Sequence, residues 1–352
     1  MSPSLKAFLV ILLTFSLGAL LFLGTFFLSF SHFFLFTYIL FAVILTFPAL
    51  YKGKGGELKD KLLLGEAVLL FLLIMAIRLP SYAITGFLLE KLPAILLVLF
   101  WALLVKGWRT SSLGLSLRKF PKQVFLGLGF ALIYWVLYQG TFAVYSALFG
   151  GISSFLFYDY PQSVPPGTPL SPLLFLFALF LYSNFAEELF FRGFLLKEVP
   201  ENKKRGFSLF LLQALLFGLY HINYALFPRE GGGVDWAYMA FYISWTFLFG
   251  IGFGFAYLLS GSVISTTILH VLGNIMQSNW IILFVPPGNV PSPYLLDAAV
   301  AFRESIVRPV LILNAGLFSL VLGGVWFLKS RRKGFLPIVN GPSGEGREDP
   351  DN

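Results

Sequence analysis

The chain has 352 residues, of which 57% are hydrophobic and 12% charged, with no cysteine and a formal net charge of +8. Soluble domains carry about 25% charged residues, so this composition excludes a soluble globular protein and implies an all-α polytopic membrane protein. The missing cysteine excludes disulfides, iron–sulfur clusters, Cys-ligated zinc and a thiol nucleophile.

Runs of about 17–25 apolar residues read as membrane spans. The first covers residues 7–30, with no A-x-A-like cleavage site after it, so it reads as a span rather than a signal peptide. A short turn with His32 leads to the second span, 33–51, and His32 reads as structural. A loop with Lys52, Lys54, Lys59 and Lys61 precedes the third span, 62–79, which holds Glu66 and Arg78 near opposite ends. Twelve residues apart, these two cannot pair on one helix, so both are expected to snorkel to the interfaces. The segment with Pro80 and Pro93 leads to a short fourth span, 94–105, followed by a basic loop with Lys106, Arg109, Arg118, Lys119 and Lys122.

The fifth span is 124–149, and the Pro- and Gly-rich loop 150–169 after it has no Lys or Arg. The sixth span, 170–196, is followed by a basic loop, 197–205. The seventh is 206–227, and the eighth, 236–259, carries Gly250, Gly252 and Gly254, which permit close helix approach. A Ser260, Gly261, Ser262 turn leads to the ninth span, 263–284. A second Pro-rich loop and a polar stretch with Arg303 and Arg308 precede the tenth, 310–328. The tail 331–352 has the composition of a disordered segment. Basic loops follow the second, fourth, sixth and tenth spans, which predicts about ten helices with both termini in the cytoplasm of a multi-pass cell-membrane protein. The net charge is thus topological, and lipid rather than nucleic acid is the expected partner.

Three groups inside spans carry candidate chemistry. Glu187 and Glu188 are adjacent in the sixth span, with Arg192 four residues after Glu188. On a helix Glu188 and Arg192 share a face and can pair. Glu187 points about 100° away and is free for another task. A buried ion pair that only fixes packing is the bland alternative. Phe217 and His221 are one turn apart in the seventh span, and His270 and Asn274 one turn apart in the ninth. A membrane histidine often serves only interhelical packing. Two of the chain's three histidines beside an acid pair ask for more. A carboxylate able to take a proton from water, with donors for an oxyanion, suits hydrolysis.

These groups resemble the motifs of the type II CAAX prenyl endopeptidase and bacteriocin-processing family of intramembrane proteases, also called CPBP or Abi proteins. The pattern E-E-x-x-x-R reads EELFFR at 187–192, F-x-x-x-H reads FGLYH at 217–221, and H-x-x-x-N reads HVLGN at 270–274. FRG at 191–193 and the serine–glycine–serine turn also look like the family. The resemblance covers about 124–284 as a catalytic core, with helices 1–123 and the segment 285–330 outside it. It implies an endopeptidase acting on a membrane-associated protein or peptide. Glu187 would be the general base and His221 its partner in holding water. His270 and Asn274 would stabilise the oxyanion, with Glu188, Arg192 and Phe217 in support.

No cofactor is expected, but Glu187, His221 and His270 also match a hydrolytic zinc ligand set. Against zinc, the histidines come from different spans rather than one H-E-x-x-H helix. Two other classes compete: a non-catalytic immunity or scaffold protein binding a peptide or partner helix, and a proton-coupled transporter. The second lacks the repeated halves of transporter folds.

Overall fold

The computed structural model describes residues 64–85, 88, 90–116, 119–149, 154–158, 172–197, 203–227, 234–284 and 293–332. The spans expected at 7–30 and 33–51, His32, the lysine-rich loop 52–61 and the tail from 333 lie outside the described residues. The described chain forms α1 (Leu64–Thr85), α2 (Lys91–Phe100, extended by a π-type turn, Trp101–Val105) and α3 (Phe120–Phe149). Strand β1 (Ser154–Tyr158) is followed by α4 (Pro172–Glu188, extended by a π-type turn, Leu189–Phe194) and α5 (Lys203–Tyr220). Then come the single turn α6 (Asn223–Leu226), α7 (Trp236–Ser260), α8 (Val263–Asn279), β2 (Trp280–Phe284) and α9 (Pro293–Arg332).

Five of the described segments are long and apolar enough to cross a bilayer: Leu64–Ala83, Phe120–Tyr145, Gly206–Leu226, Trp236–Ser260 and Arg308–Arg331. Lys91–Val105 and Val263–Ile275 are shorter apolar helices. The architecture is that of an all-α multi-pass membrane protein. Among the described residues, the departure from it is a short antiparallel ribbon in which β1 pairs with β2, from Ser154 opposite Phe284 to Tyr158 opposite Trp280.

Several boundaries differ from the sequence reading: α1 runs through Pro80 to Thr85 rather than ending at 79, and two further departures are larger. The ninth span ends as a helix at Asn279, because Trp280–Phe284 is rich in β-favouring residues and finds a partner strand in the loop 150–169. The stretch read as polar before the tenth span is helical from Pro293 onward. Proline suits the first helical position, and the residues up to Arg308 contain no glycine, so α9 runs through Arg303 and Arg308 without a break.

In lipid, close packing rather than water exclusion holds helices together, so small residues set the approach. The helix α7 lies between α5 and α9, and α8 packs on α3 and α4. A Cβ on Gly250 would come within 2.8 Å of Ala214 Cα on α5, and one on Gly252 within 2.7 Å of Phe318 on α9. The expected glycine contacts are therefore real helix crossings. Gln213 donates to the Gly250 carbonyl at 2.8 Å and so fixes α5, the helix leading to His221.

The start of α8 is pinned in the same manner. Gly261 adopts φ +64°, Ser262 Oγ accepts from the Ser265 amide at 3.3 Å, and Ser265 Oγ donates to the Gln123 carbonyl at 2.8 Å. This ties α8, which carries His270, to α3.

Candidate active site

The π-type turn after Glu188 is where the site begins. Such turns are rare and collect at functional positions. Here the Leu195 amide reaches the Phe190 carbonyl at 3.1 Å, widening the helix directly after the two glutamates. Every residue from Ala186 to Leu196 is buried, so no part of this turn faces lipid.

The two glutamates diverge as their spacing requires. Glu188 pairs with Arg192 Nη1 at 2.9 Å, both wholly buried. The guanidinium also lies over the Phe217 ring at 4.2 Å and the Phe253 ring at 5.1 Å. Phe217 in turn meets His221 edge-on at 4.9 Å and His270 at 5.9 Å. It is the spacer between the structural cation and both imidazoles, which explains its place in the motif.

Glu187 points into the other side of the bundle. Its Oε2 lies 3.9 Å from Nε2 of His221 and 3.9 Å from Nε2 of His270. This oxygen is buried with no hydrogen-bond partner among the described residues. Each imidazole has its other nitrogen engaged. His221 Nδ1 is 2.8 Å from the Phe217 carbonyl oxygen, and His270 Nδ1 is 2.8 Å from Glu188 Oε1. Both partners are acceptors, so both Nδ1 atoms donate. In the neutral tautomers this leaves Nε2 as an acceptor turned toward Glu187. The adjacent acid is thus more than a counter-ion for Arg192, because it also sets the tautomer of His270.

Asn274 is on the same helix as His270, and its Nδ2 donates to Asn184 Oδ1 at 3.3 Å. Asn184 is buried on α4, three residues before Glu187 and four before Glu188. The sequence reading misses it because a single Asn in an apolar run carries no signal of its own. The structure therefore gathers Glu187, His221 and His270 around one point and places Asn274 beside the same face of α4.

A second ionic group reaches Glu187 from α1 and α2, and nothing in the motifs announces it. Lys91 Nζ donates to Glu187 Oε1, lies 3.3 Å from Glu90 Oε1 and donates to Tyr220 Oη at 3.1 Å. Tyr220 donates onward to Glu90 at 2.6 Å. Arg78 donates to Glu90, bonds Asn223 Oδ1 at 3.0 Å and stacks on the Tyr220 ring at 3.8 Å. The expectation that Arg78 snorkels is therefore wrong: it is fully buried, because Glu90, beyond the end of α1, comes back to its side. Glu66 instead pairs with Lys106 at 2.7 Å.

Among the described residues, no group of three His, Cys, Asp or Glu side chains is set to hold a metal ion. Ligands about 2.0–2.1 Å from one zinc stand about 3.3 Å apart in a tetrahedron. The 3.9 Å separations here are wider, and an ammonium already holds the other carboxylate oxygen, Oε1. As arranged, the trio does not fit zinc.

Residues 169–276 match the family model described as type II CAAX prenyl endopeptidase Rce1-like. The chain carries an Rce1-like domain. That segment contains all three motifs, from Glu187 to Asn274. The match supports a membrane protease of the endopeptidase type and does not favour the scaffold or transporter readings. Among curated proteins, none matches the chain. Arg78, Glu90 and Lys91 precede the Rce1-like domain, yet they reach its buried glutamate, Lys91 directly and the other two through it.

Proposed function

We propose that the chain is a glutamate-type intramembrane endopeptidase that hydrolyses a peptide bond in a membrane-associated protein or peptide. The observation that carries this reading is the buried Glu187 Oε2, 3.9 Å from two imidazole Nε2 atoms whose opposite nitrogens are both committed. A water held at that point donates one proton to Glu187 Oε2 and the other to His221 Nε2. Glu187 takes its proton as the water oxygen attacks the scissile carbonyl.

The oxyanion then needs donors. Asn274 supplies them from a side-chain amide that Asn184 orients. His270 donates from Nε2 when protonated on both nitrogens, with its Nδ1 already held by Glu188. The proton on Glu187 passes to the leaving amine as the C–N bond breaks. No step in this scheme uses a metal, and turnover is expected to survive exhaustive chelation.

The family description makes a CAAX-type peptide the first substrate to try, with or without a prenyl group. The protein would sit in the cell membrane with both termini in the cytoplasm. Quantitative proteomics of membranes from cells carrying the native chain or Glu187→Gln tests the reading. One precursor that accumulates uncleaved in the variant would identify the substrate. Identical membrane proteomes, with both proteins present at equal level, would count against an endopeptidase.

A further inference from the structure

We propose that Lys91 is a positioning residue for Glu187: its ammonium holds Oε1 and leaves Oε2 as the one oxygen presented to the two imidazoles. The proposal rests on the assignment of Glu187 as the reacting carboxylate, and it adds to the site a residue from outside the Rce1-like segment.

The geometry is that of a tripod. An ammonium has three N–H donors and no acceptor. Lys91 has three acceptors within reach: Glu187 Oε1, Glu90 Oε1 at 3.3 Å and Tyr220 Oη at 3.1 Å. A lysine with all three donors engaged cannot swing, and this one is only 2% exposed. Its own partners are held in turn. Glu90 Oε1 also accepts from Arg78 and from Tyr220, and Arg78 is fixed by Asn223 and the Tyr220 ring. The rotation of the Glu187 carboxylate is therefore set by α1, α2 and the end of α5, not by α4 alone.

Charge points the same way. The cations Arg78, Lys91 and Arg192 face the carboxylates Glu90, Glu187 and Glu188, all buried. Arg192 is paired with Glu188, and Arg78 with Glu90. Lys91 is the one lysine or arginine in contact with Glu187 among the described residues. A buried carboxylate stripped of its cation is strongly disfavoured and takes up a proton instead. Without Lys91, Glu187 would hold a proton of its own and could no longer accept one from water. A lysine that served only packing would not have this effect.

Infrared difference spectroscopy and thermal unfolding of the purified full-length protein test the proposal without any substrate. The native protein compared with Glu187→Gln should show carboxylate bands only. Lys91→Met compared with Lys91→Met/Glu187→Gln should show the carbonyl stretch of a protonated carboxyl group. Lys91→Arg, which keeps the charge, should return to the native pattern. A protonated Glu187 in the native protein, or carboxylate bands only in Lys91→Met, overturns the proposal. If Lys91→Met does not fold, Lys91→Met/Glu187→Gln should, because the neutral amide that replaces the Glu187 carboxylate needs no counter-ion. A double variant that also fails to fold overturns the proposal. Cleavage of a farnesylated CAAX peptide by native protein in proteoliposomes is scored separately. Its failure would touch the endopeptidase reading and leave the role of Lys91 standing.

Discussion

Glu187 and Glu188 are neighbours in the chain, both buried, and bound to opposite halves of the ionic core. Glu188 belongs to a local group: Arg192 one turn away on its own helix, and His270 across on α8. Glu187 belongs to a distant one, joined through Lys91 to Arg78, Glu90 and Tyr220. In the first group the carboxylate is an anchor that fixes a cation and a tautomer. In the second, one oxygen is anchored and the other is left without a hydrogen-bond partner among the described residues, as the proposed chemistry requires. Two identical side chains acquire different partners because one residue of helix turns them about 100° apart.

The sharpest break of this contrast is a pair of isosteric changes. Glu187→Gln should cost roughly 10²–10⁴-fold in turnover while the protein keeps its fold, since it removes the proton acceptor. Turnover on the physiological precursor, with thermal unfolding measured alongside, checks both halves. Glu188→Gln should instead lower stability by roughly 3–5 kcal/mol, because it leaves Arg192 buried and unpaired. Its unfolding midpoint should fall well below that of Glu187→Gln. A stable but inactive Glu188→Gln with an active Glu187→Gln would exchange the two roles.

Smaller effects refine the picture. Asn274→Ala should reduce kcat by roughly 10²–10³-fold with little change in KM, the signature of a lost oxyanion donor. A change confined to KM would make Asn274 a substrate-binding residue. Phe217→Leu keeps an apolar spacer but removes the ring beneath Arg192. It should cost about 0.5–2 kcal/mol of stability, read as a modest drop in the unfolding midpoint.

The same contrast explains what the sequence could and could not reveal. The Glu188–Arg192 pair, the Phe217–His221 stripe and the glycine contacts of α7 are local patterns of a few residues, and helical periodicity exposes them. The meeting of Glu187 with His221 and His270 was reachable because each sits in its own span beside a recognisable partner. Lys91 was not reachable. It lies 96 residues from Glu187, at the start of an apolar run where a lysine normally reads as an interfacial residue. Arg78 misled for the same reason, since its partners are Glu90 and Asn223, across the turn and beyond the end of α5. The ribbon joining β1 to β2 was hidden as well, because pairing as distant as Leu156 with Ile282 leaves no periodic trace in either segment.

The central claim is that Glu187, without a metal, activates the water. The direct measurement is cleavage of a CAAX-type peptide by purified protein in proteoliposomes after exhaustive chelation, native against Glu187→Gln. The native protein should cleave at its full rate and Glu187→Gln should fall to background. Equal cleavage by both, or stoichiometric zinc whose removal abolishes activity and whose return restores it, would contradict the account.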